Sequence, residues 1–193
     1  MNETIDLLLK RRSIRKYLPE QIDPAHRERI LETALYAPSG RNLQYPRFLV
    51  MQNRKMLDEL NALIVREFAK WEIKEGQYQN RIILLAREQP DHNFFYHAPT
   101  LIHVVSPKSH GNSMADSACA LENMQIAAIA LGLGSCWINT PHWLTDNRAF
   151  RDFMEPLGLR PDEDVFGSLA VGRPAGPLPG PLPRKEGRII RIE

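Results

Sequence analysis

Residues 112–133 carry the strongest helical pattern in the chain and place the tightest constraint on its fold. The last third of this stretch is apolar on nearly every side, and small residues recur along its length. A helix of this kind must be covered all round, and small side chains let another backbone approach closely. We therefore predict a central helix that meets its own copy across a dimer axis. The small residues are Ala115, Ala118, Cys119, Ala120, Ala127, Ala128 and Ala130.

Composition predicts one ordinary globular domain that spans residues 1–193. The chain has a mass of 22.1 kDa, and 43% of its residues are hydrophobic and 25% are charged. This length and mixture are enough to build a single core. The formal net charge of +2 gives no reason to expect a nucleic-acid partner.

The same sequence predicts a cytoplasmic protein. No stretch approaches the roughly twenty apolar residues of a membrane span, so we expect no membrane association. Residues 5–9 are too short an apolar run for a secretory signal, and Asp6 interrupts them. Cys119 and Cys136 lie in apolar surroundings without the spacing of a metal site. Two buried thiols indicate a reducing compartment.

The remaining patterns predict helices that alternate with short strands. Asp23 before Pro24 is a strong helix start, because aspartate caps the helix and proline suits its first turn. The apolar repeat between residues 53 and 90 is interrupted at Gly76, so this region is either a mobile lid or a helical hairpin. We expect helices over 4–11, 24–37, 112–133 and 145–157, strands over 47–51, 101–105 and 165–171, another strand entered within 132–141, and an edge strand at 189–192.

A cluster of cations lies close to the N-terminus. Residues 10–16 contain five lysines or arginines and one serine. If residues 13–17 run extended, Arg11, Ser13 and Arg15 share one side, and Ile14 faces the other. Arginine forks and a small hydroxyl suit a phosphate. The stretch is therefore interpreted as one wall of a phosphate pocket, or else as a solvated basic segment or phosphate-binding arm.

Motifs for nucleophilic or metal-assisted catalysis are absent from the sequence, and no metal site is predicted. The two glycines within 132–134 lack the third glycine of a dinucleotide fingerprint and lie between a helix and a strand in the wrong order. The six histidines share no spacing, and Asp116 and Glu122 do not form a convincing acid–base pair. An enzyme built from this chain would rely on a bound cofactor. The proline-rich residues 172–183 should run extended, with an SH3-type ligand as the alternative.

Four segments in this order resemble the nitroreductase family: Arg11–Arg15, Ala37–Gln44, Gly132–Ile138 and Pro183–Lys185. The resemblance implies an α+β fold whose central, mostly antiparallel sheet is flanked by helices. It also implies an intertwined homodimer that binds FMN at the subunit interface. The C-terminal segment, residues 172–193, would cross over to extend the sheet of the partner.

The resemblance also implies which residues hold FMN. Arg11, Ser13 and Arg184 would bind its phosphate end, with help from Arg12 and Lys185. Arg15 would lie beside the N1/O2 edge of the flavin ring and tune it, and no side chain is expected to be a catalytic acid or base. Pro38, Ser39, Gly40 and Asn42 would come from the other subunit, while Trp137, Ile138 and Asn139 would lie along the ring, with backbone N–H groups near Asn139 and Thr140 directed at N5.

The implied activity is transfer of a hydride from NADH or NADPH, through flavin N5, to a small planar electrophilic acceptor in a ping-pong reaction. The acceptor would be a nitroaromatic, a quinone, a flavin or an activated alkene. Two alternatives stay open: different flavin chemistry, such as dehalogenation, dehydrogenation or flavin breakdown, and a non-enzymatic phosphate or nucleic-acid binder. The candidate acceptor contacts are Tyr45, Phe68, Trp71, Tyr78 and Trp143.

Two positions depart from the family pattern. The family commonly continues with Gln-Pro-Trp after the loop asparagine, but residues 44–47 read Gln-Tyr-Pro-Arg here. Asn139 stands where some members have an acidic residue beside N5. The shape of the 42–47 loop and the role of Asn139 are therefore left open by the sequence.

Overall fold

A computed structural model describes residues 3–192 as seven α-helices, two short 3-10 turns and four strands. The helices are α1 (Glu3–Lys10), α2 (Pro24–Leu35), α3 (Arg54–Ala69), α4 (Asn80–Glu88), α5 (Ser113–Ala130), α6 (Thr140–Trp143) and α7 (Arg148–Met154). The 3-10 turns are Gly40–Asn42 and Glu155–Leu157. The strands are β1 (Arg47–Met51), β2 (Thr100–Pro107), β3 (Gly134–Ile138) and β4 (Glu163–Gly172). Within the described range, no helix has the length and apolar character needed to cross a membrane.

The four strands form one sheet in the order β1-β2-β4-β3, and every neighbouring pair is antiparallel. The predicted α+β class with an antiparallel sheet is therefore confirmed. Strand β2 lies in the interior of this sheet, and its residues from Thr100 to Ser106 are all buried. A register shift between Val104 and Val105 bends the β2–β4 pair.

Helices cover the sheet on both faces, because apolar side chains alternate along its central strands. Leu101 and Val105 point into a core shared with α3, α4 and α7. Ile102 and Val104 point the opposite way, into a core shared with α2 and α5. The predicted central helix α5 is thus covered on one side by the sheet of its own chain.

Side-chain caps explain where three of the helices begin. Asp23 accepts a hydrogen bond from the Ala25 N–H at 2.7 Å, so α2 begins where the sequence predicted. Asn53 caps α3 in the same way. Asn147 caps α7 by accepting from the Phe150 N–H. This last cap explains why the helix predicted over 145–157 begins only at Arg148.

In three other segments the structure differs from the prediction or decides between two predicted alternatives. Residues 54–88 form a helical hairpin, and α3 is a core helix with Phe68 fully buried. The short helix α6 was not predicted, because Pro141 in its first turn resembles a loop residue in the sequence. Residues 189–192 form no strand in the single chain. Their addition to the sheet of a partner stays a prediction.

The N-terminal basic segment is attached directly to β3. Ser13 forms a parallel bridge with Ser135, and the Ile14 N–H donates to the Ser135 carbonyl at 2.8 Å. Ile14 is buried, as its alternation with Ser13 and Arg15 predicted. A Cβ placed on Gly134 would lie 2.8 Å from the Ile14 side chain, so the close approach requires glycine at that position.

The two ends of the chain lie side by side. The Leu18 N–H donates to the Arg173 carbonyl at 2.9 Å, and the Ala175 N–H donates to the Lys16 carbonyl at 3.0 Å. Beyond Ala175 the described chain contains no helix or strand. The predicted extended segment 172–183 therefore forms no strand after Gly172, which is the last residue of β4, although Pro174 makes one isolated bridge with Tyr17.

A buried histidine lies in the middle of the sheet. His103 on β2 is fully buried, and its Nδ1 is 2.7 Å from the Ser168 Oγ on β4. Its Nε2 has no hydrogen-bond partner among residues 3–192. Burial lowers the pKa of His103 to about 4. The native protein therefore holds this imidazole neutral over a range where an unfolded chain binds a proton.

We predict that His103 makes the fold less stable as the pH falls from 6.5 towards 4. In that window the unfolded state, with a histidine pKa of about 6.5, binds more protons than the native state, so stability rises with pH. The contribution lost between pH 7 and pH 5 is about 2 kcal/mol. Urea unfolding at the two pH values measures the free energy of unfolding. Its difference between pH 7 and pH 5 should be smaller in His103→Leu than in the wild-type protein. An equal difference in both proteins would contradict the prediction.

Candidate functional site

Two neighbouring cavities meet at Arg15. One, of about 420 Å³, lies between residues 13–16 and residues 174–179 of the same chain. The other, of about 310 Å³, extends from Arg15 to the end of β3. Because Arg15 lines both, an elongated ligand can reach from the basic segment to the sheet. The second cavity is lined by Arg15, Tyr78, Ile82, Phe94, Tyr96, Cys136, Trp137, Ile138, Asn139, Thr140 and Trp143.

Arg15 brings an uncompensated positive charge to this junction. No carboxylate in the described part of the chain lies within 4 Å of its guanidinium, which instead lies 5.7 Å from the centroid of the Tyr96 ring. The nearby thiol of Cys136 does not neutralise it, because burial raises the pKa of Cys136. An arginine in this setting favours a ligand that carries or develops negative charge.

The end of strand β3 and the residue that follows it line the second cavity, through Trp137, Ile138 and Asn139. The Trp137 Nε1–H donates to the Asn139 Oδ1 at 2.5 Å, which fixes the indole. Glycine at 167 leaves room for it, since a Cβ there would lie 3.0 Å from the Trp137 Nε1. Asn139 thus orients an aromatic neighbour in this structure.

Aromatic side chains form the opposite wall. Tyr78 and Trp143 meet edge to face, with ring centroids 5.7 Å apart. Both were among the candidate acceptor contacts. Of the other three, Phe68 is fully buried in the core, Trp71 packs against it at 4.7 Å between centroids, and Tyr45 packs on His110. The structure therefore brings only part of that set to the cavity.

The other basic residues of the N-terminal segment are engaged elsewhere in this single chain. Arg11 forms an ion pair with Glu122 on α5, 3.2 Å away, and donates to the Gln125 side chain at 3.3 Å. Arg12 donates to backbone carbonyl oxygens, among them that of Gly180 at 3.3 Å. Neither guanidinium is directed with Arg15 into the second cavity.

Asp116 anchors the loop that contains Pro38, Ser39, Gly40 and Asn42. Its carboxylate is nearly buried near the start of α5 and accepts the Gly40 N–H at 3.0 Å. The other carboxylate oxygen lies 3.2 Å from the His110 Nε2. Backbone φ angles at Arg41, Asn42 and Gln44 are all positive, so the loop conformation is strained and depends on such anchors.

The loop and the basic segment contact different parts of α5. The loop is anchored at Asp116, whereas Arg11 contacts Glu122 and Gln125. Six to nine residues of helix correspond to about 9–14 Å. Pro38 and Ser39 line a small cavity of about 70 Å³ that is separate from the two at Arg15. One chain therefore does not bring the two predicted halves of the site together.

Arg184 and Lys185 are exposed, and Arg184 donates only to the nearby Leu182 carbonyl. The structure of one chain does not bring them to Arg11, so their predicted part in a phosphate site stays a prediction.

Sequence reasoning missed four residues of the second cavity outright: Ile82, Phe94, Tyr96 and Cys136. Ile82 lies in the apolar repeat between residues 53 and 90, and Cys136 is one of the two thiols in apolar surroundings, so both patterns indicate core packing. A signal for two of them was present, because residues 93–97 combine three aromatic residues with an asparagine just before the strand β2. Aromatic residues in a connecting segment indicate a surface that packs against something specific.

We predict that Asp116→Ala loosens the 38–45 loop. The Gly40 N–H would lose a charged acceptor, which is worth about 1.5–3 kcal/mol, so its amide exchange should rise roughly 10- to 100-fold. Hydrogen exchange followed by NMR measures this directly. In Asp116→Asn, which keeps an acceptor oxygen, the exchange rate of the Gly40 amide should rise less. In Asp146→Ala, which changes an exposed carboxylate, the exchange rate of the Gly40 amide should stay unchanged. Unchanged exchange at Gly40 in Asp116→Ala would refute the anchor.

Comparison with known proteins finds relatives of this chain in sequence and in fold. A family model described as the nitroreductase family matches residues 8–173. A nitroreductase from Bacteroides fragilis, solved with bound FMN, is 34% identical, covers 100% of both chains and has a TM-score of 0.90. A nitroreductase with bound FMN from Desulfitobacterium hafniense is 25% identical, also covers 100% of both chains and has a TM-score of 0.84.

A sequence comparison also finds a similar flavin enzyme. The FMN reductase (NADPH) of Bacillus subtilis is 28% identical over 203 residues, which span 100% of this chain and 74% of the relative. The two structural matches extend over the whole chain, and the family model extends over residues 8–173. The chain described here belongs to the nitroreductase family.

Proposed function

We propose that the protein is an FMN-dependent oxidoreductase that takes electrons from NADH or NADPH and gives them to a planar electrophilic acceptor. The observation that carries this proposal is the uncompensated Arg15 at the junction of two cavities. Its segment is fixed to β3, and an aromatic wall lies opposite. The printed names of the relatives, which include an FMN reductase (NADPH) and nitroreductases with bound FMN, support the same activity.

The residues present fit FMN at its ring end. Arg15 offers a charge with no carboxylate partner within the described residues, and Trp137, Ile138 and Asn139 line the cavity beside it, with the Trp137 indole packed towards the core shared with α2 and α5. When bound, FMN would accept a hydride from the nicotinamide and pass it on to the acceptor. Ser13 lines the adjoining cavity and would face the ribityl chain and phosphate.

The phosphate end requires rearranged contacts. Arg11 would exchange Glu122 for the phosphate, with Arg12 beside it. Arg184 and Lys185 would approach from the C-terminal segment. Such a cluster suits a dianion, because charge-assisted hydrogen bonds are roughly twice as strong as neutral ones. Pro38, Ser39, Gly40 and Asn42 would come from the second subunit, since their anchor on α5 lies six to nine residues away from the contacts of Arg11.

The side chains of the second cavity have two tasks. Arg15 would stabilise negative charge that develops on the ligand, because a fixed cation needs no reorganisation at that moment. Tyr78, Trp143 and Phe94 would exclude water and hold a planar molecule by stacking. Nicotinamide and acceptor would occupy this one cavity in turn, which predicts ping-pong kinetics. The acceptor class is a nitroaromatic, quinone, flavin or activated alkene.

A homodimer is proposed from surfaces that one chain leaves exposed. A groove of about 660 Å³ lies between α2 and α5, with Tyr36, Ile126 and Ala127 among its lining residues. Tyr36 is 82% exposed in the single chain. A contiguous apolar groove of this kind indicates an interaction surface. A second copy of α5 would complete the cover that this helix needs.

The C-terminal segment would exchange between the two copies. Ile189, Ile190 and Ile192 are at least 75% exposed. Strand β1 pairs only with β2 among the described strands, so its outer edge is open. A cavity of about 340 Å³ along β1 can receive isoleucine side chains. We propose that the partner's tail pairs there, because an open edge is a ready template for another strand.

Residues 1–193 would form a single domain of this enzyme. Both cysteines are free, which agrees with the cytoplasmic location proposed from the sequence.

The visible spectrum of the purified protein tests the proposed activity. We expect a yellow protein with one FMN per chain, which bleaches when NADPH or NADH is added under anaerobic conditions. Bleaching followed by recovery on addition of a quinone or nitroaromatic would support the acceptor class. Failure of both nicotinamides to bleach bound FMN would favour different flavin chemistry. A colourless protein that refuses FMN and binds oligonucleotides in a salt-sensitive way would overturn the proposal.

Mutation separates the role of Arg15 from that of any histidine. Arg15→Ala should lower turnover about 100-fold, the loss expected for one fixed electrostatic group. His142→Ala is the matched control, because His142 precedes Trp143 in the chain and its Nδ1 bonds only the Val165 carbonyl, at 2.7 Å. If His142→Ala abolishes turnover while FMN is retained, the proposed division of roles is wrong.

We predict that replacing Ile190 and Ile192 by lysine weakens the dimer. Burying one isoleucine is worth about 1.5–3 kcal/mol, so losing two per chain should raise the dimer dissociation constant by at least 100-fold. Analytical ultracentrifugation over a dilution series measures it. Arg188→Lys with Arg191→Lys serves as the control and should leave the constant unchanged. A dimer unaffected by the two lysines would argue against tail exchange.

A further inference from the structure

Tyr96 holds a defined position against Arg15. The Arg15 Cζ lies 5.7 Å from the centroid of the Tyr96 ring, within the range of a cation–π interaction. Both residues line the 310 Å³ cavity. Tyr96 is partly buried and packs against the core formed by α3, α4 and α7. The ring therefore connects a mobile, charged side chain to a rigid part of the fold.

The backbone at Tyr96 is held in an unusual conformation. Tyr96 and His97 have φ angles of 57° and 56°, the left-handed region that non-glycine residues rarely adopt. Asn93 maintains this turn, because its Oδ1 accepts the N–H groups of Phe95 at 2.9 Å and His97 at 3.0 Å. The Tyr96 N–H donates to the Asn93 carbonyl, also at 2.9 Å. Backbone strain of this kind is concentrated at functional sites.

Arg15 has few other restraints. Its side chain is exposed on the cavity side, and no carboxylate of the described chain lies within 4 Å of it. Its own backbone is fixed two residues from the Ser13–Ser135 bridge, but the guanidinium lies at the end of a long flexible stem. The side chains that face the guanidinium are Tyr96, through its ring and its hydroxyl, and Cys136, and of these the Tyr96 ring offers the larger contact surface.

We infer that Tyr96 is a positioning residue: it fixes the Arg15 guanidinium beside the cavity and thereby raises the reduction potential of the bound flavin. The inference rests on the proposed function. Two-electron reduction adds negative charge at the N1/O2 end of the flavin, and a cation held in place stabilises that charge more than a mobile, solvated one. Tyr96 acts through Arg15 and needs no contact with the reacting atoms.

The test is the two-electron midpoint potential of FMN-loaded protein, measured by dye equilibration under anaerobic conditions. Tyr96→Leu removes the aromatic ring, and we expect the equilibrium to move towards oxidised flavin by up to about fivefold, a shift of up to about 20 mV, because a cation–π contact of about 1 kcal/mol sets the upper limit of the effect. Tyr96→Phe keeps the ring and should restore the wild-type potential. A merely structural defect would change melting temperature or FMN affinity without this pattern.

A double-mutant cycle decides whether Tyr96 acts through Arg15. Arg15→Ala should lower the potential on its own, and adding Tyr96→Leu to Arg15→Ala should produce no further shift. Additive shifts would overturn the inference, because Tyr96 would then act directly on the flavin. An unchanged potential in Tyr96→Leu would also overturn it.

Two further outcomes are distinguishable from these. If Tyr96→Leu fails to retain FMN, Tyr96→Phe and Tyr96→Trp are compared instead. The midpoint potential of Tyr96→Trp should not be lower than that of Tyr96→Phe, because tryptophan gives the strongest cation–π contact. A fall would refute the inference. If wild-type protein binds FMN and is reduced by a nicotinamide while the cycle is additive, only this inference fails. A wild-type protein that takes up no FMN would overturn it together with the proposed function.

Discussion

Ile14 rests on the backbone of Gly134 at a distance that leaves no room for a Cβ on the strand. This contact and the adjoining hydrogen bond to Ser135 attach an irregular basic segment to the edge of the sheet. Alternation then directs Ser13 and Arg15 away from the core and into the two cavities. Without that attachment, the charge of Arg15 would lie on a mobile arm, and the cavity beside β3 would lose its cationic end.

Helix α5 separates the parts of the proposed site. Asp116 near its start anchors the 38–45 loop, and Glu122 and Gln125 further along receive Arg11. Because this spacing is set by helix geometry, the loop and the basic segment of one chain lie apart along α5, which supports the proposal that the loop of a second copy completes the site. The groove beside α5 gives a second copy a place to dock. Dimer formation and cofactor binding are therefore proposed as consequences of the same helix.

Much of this arrangement was predictable from sequence, and the exceptions have physical causes. The apolar runs at 47–51 and 101–105 predicted β1 and β2, because a short run of apolar residues is typical of a strand, and the structure adds that β2 is buried while β1 lies at the edge. Alternation at Ser13, Ile14 and Arg15 predicted which of them is buried. The start of α7 was predicted too early, since the cap at Asn147 competes with weak helix formers before it. Tyr96 was missed because a tertiary contact with Arg15, far away in the chain, leaves no local pattern.

The short antiparallel contact between residues 16–18 and 173–175 has a consequence for how the protein assembles. It keeps the start of the C-terminal segment with its own chain, so the proposed exchange would involve the residues after Ala175, which reach roughly 50 Å when extended, and would release the contact between Arg12 and Gly180. If the C-terminal segments exchange as proposed, folding of each core would be a first-order step, and the exchange would be a second-order step that slows with dilution. At the low concentrations of newly made chains, folded monomers would then accumulate before they form dimers. FMN binding would therefore be slower than folding of the single chain.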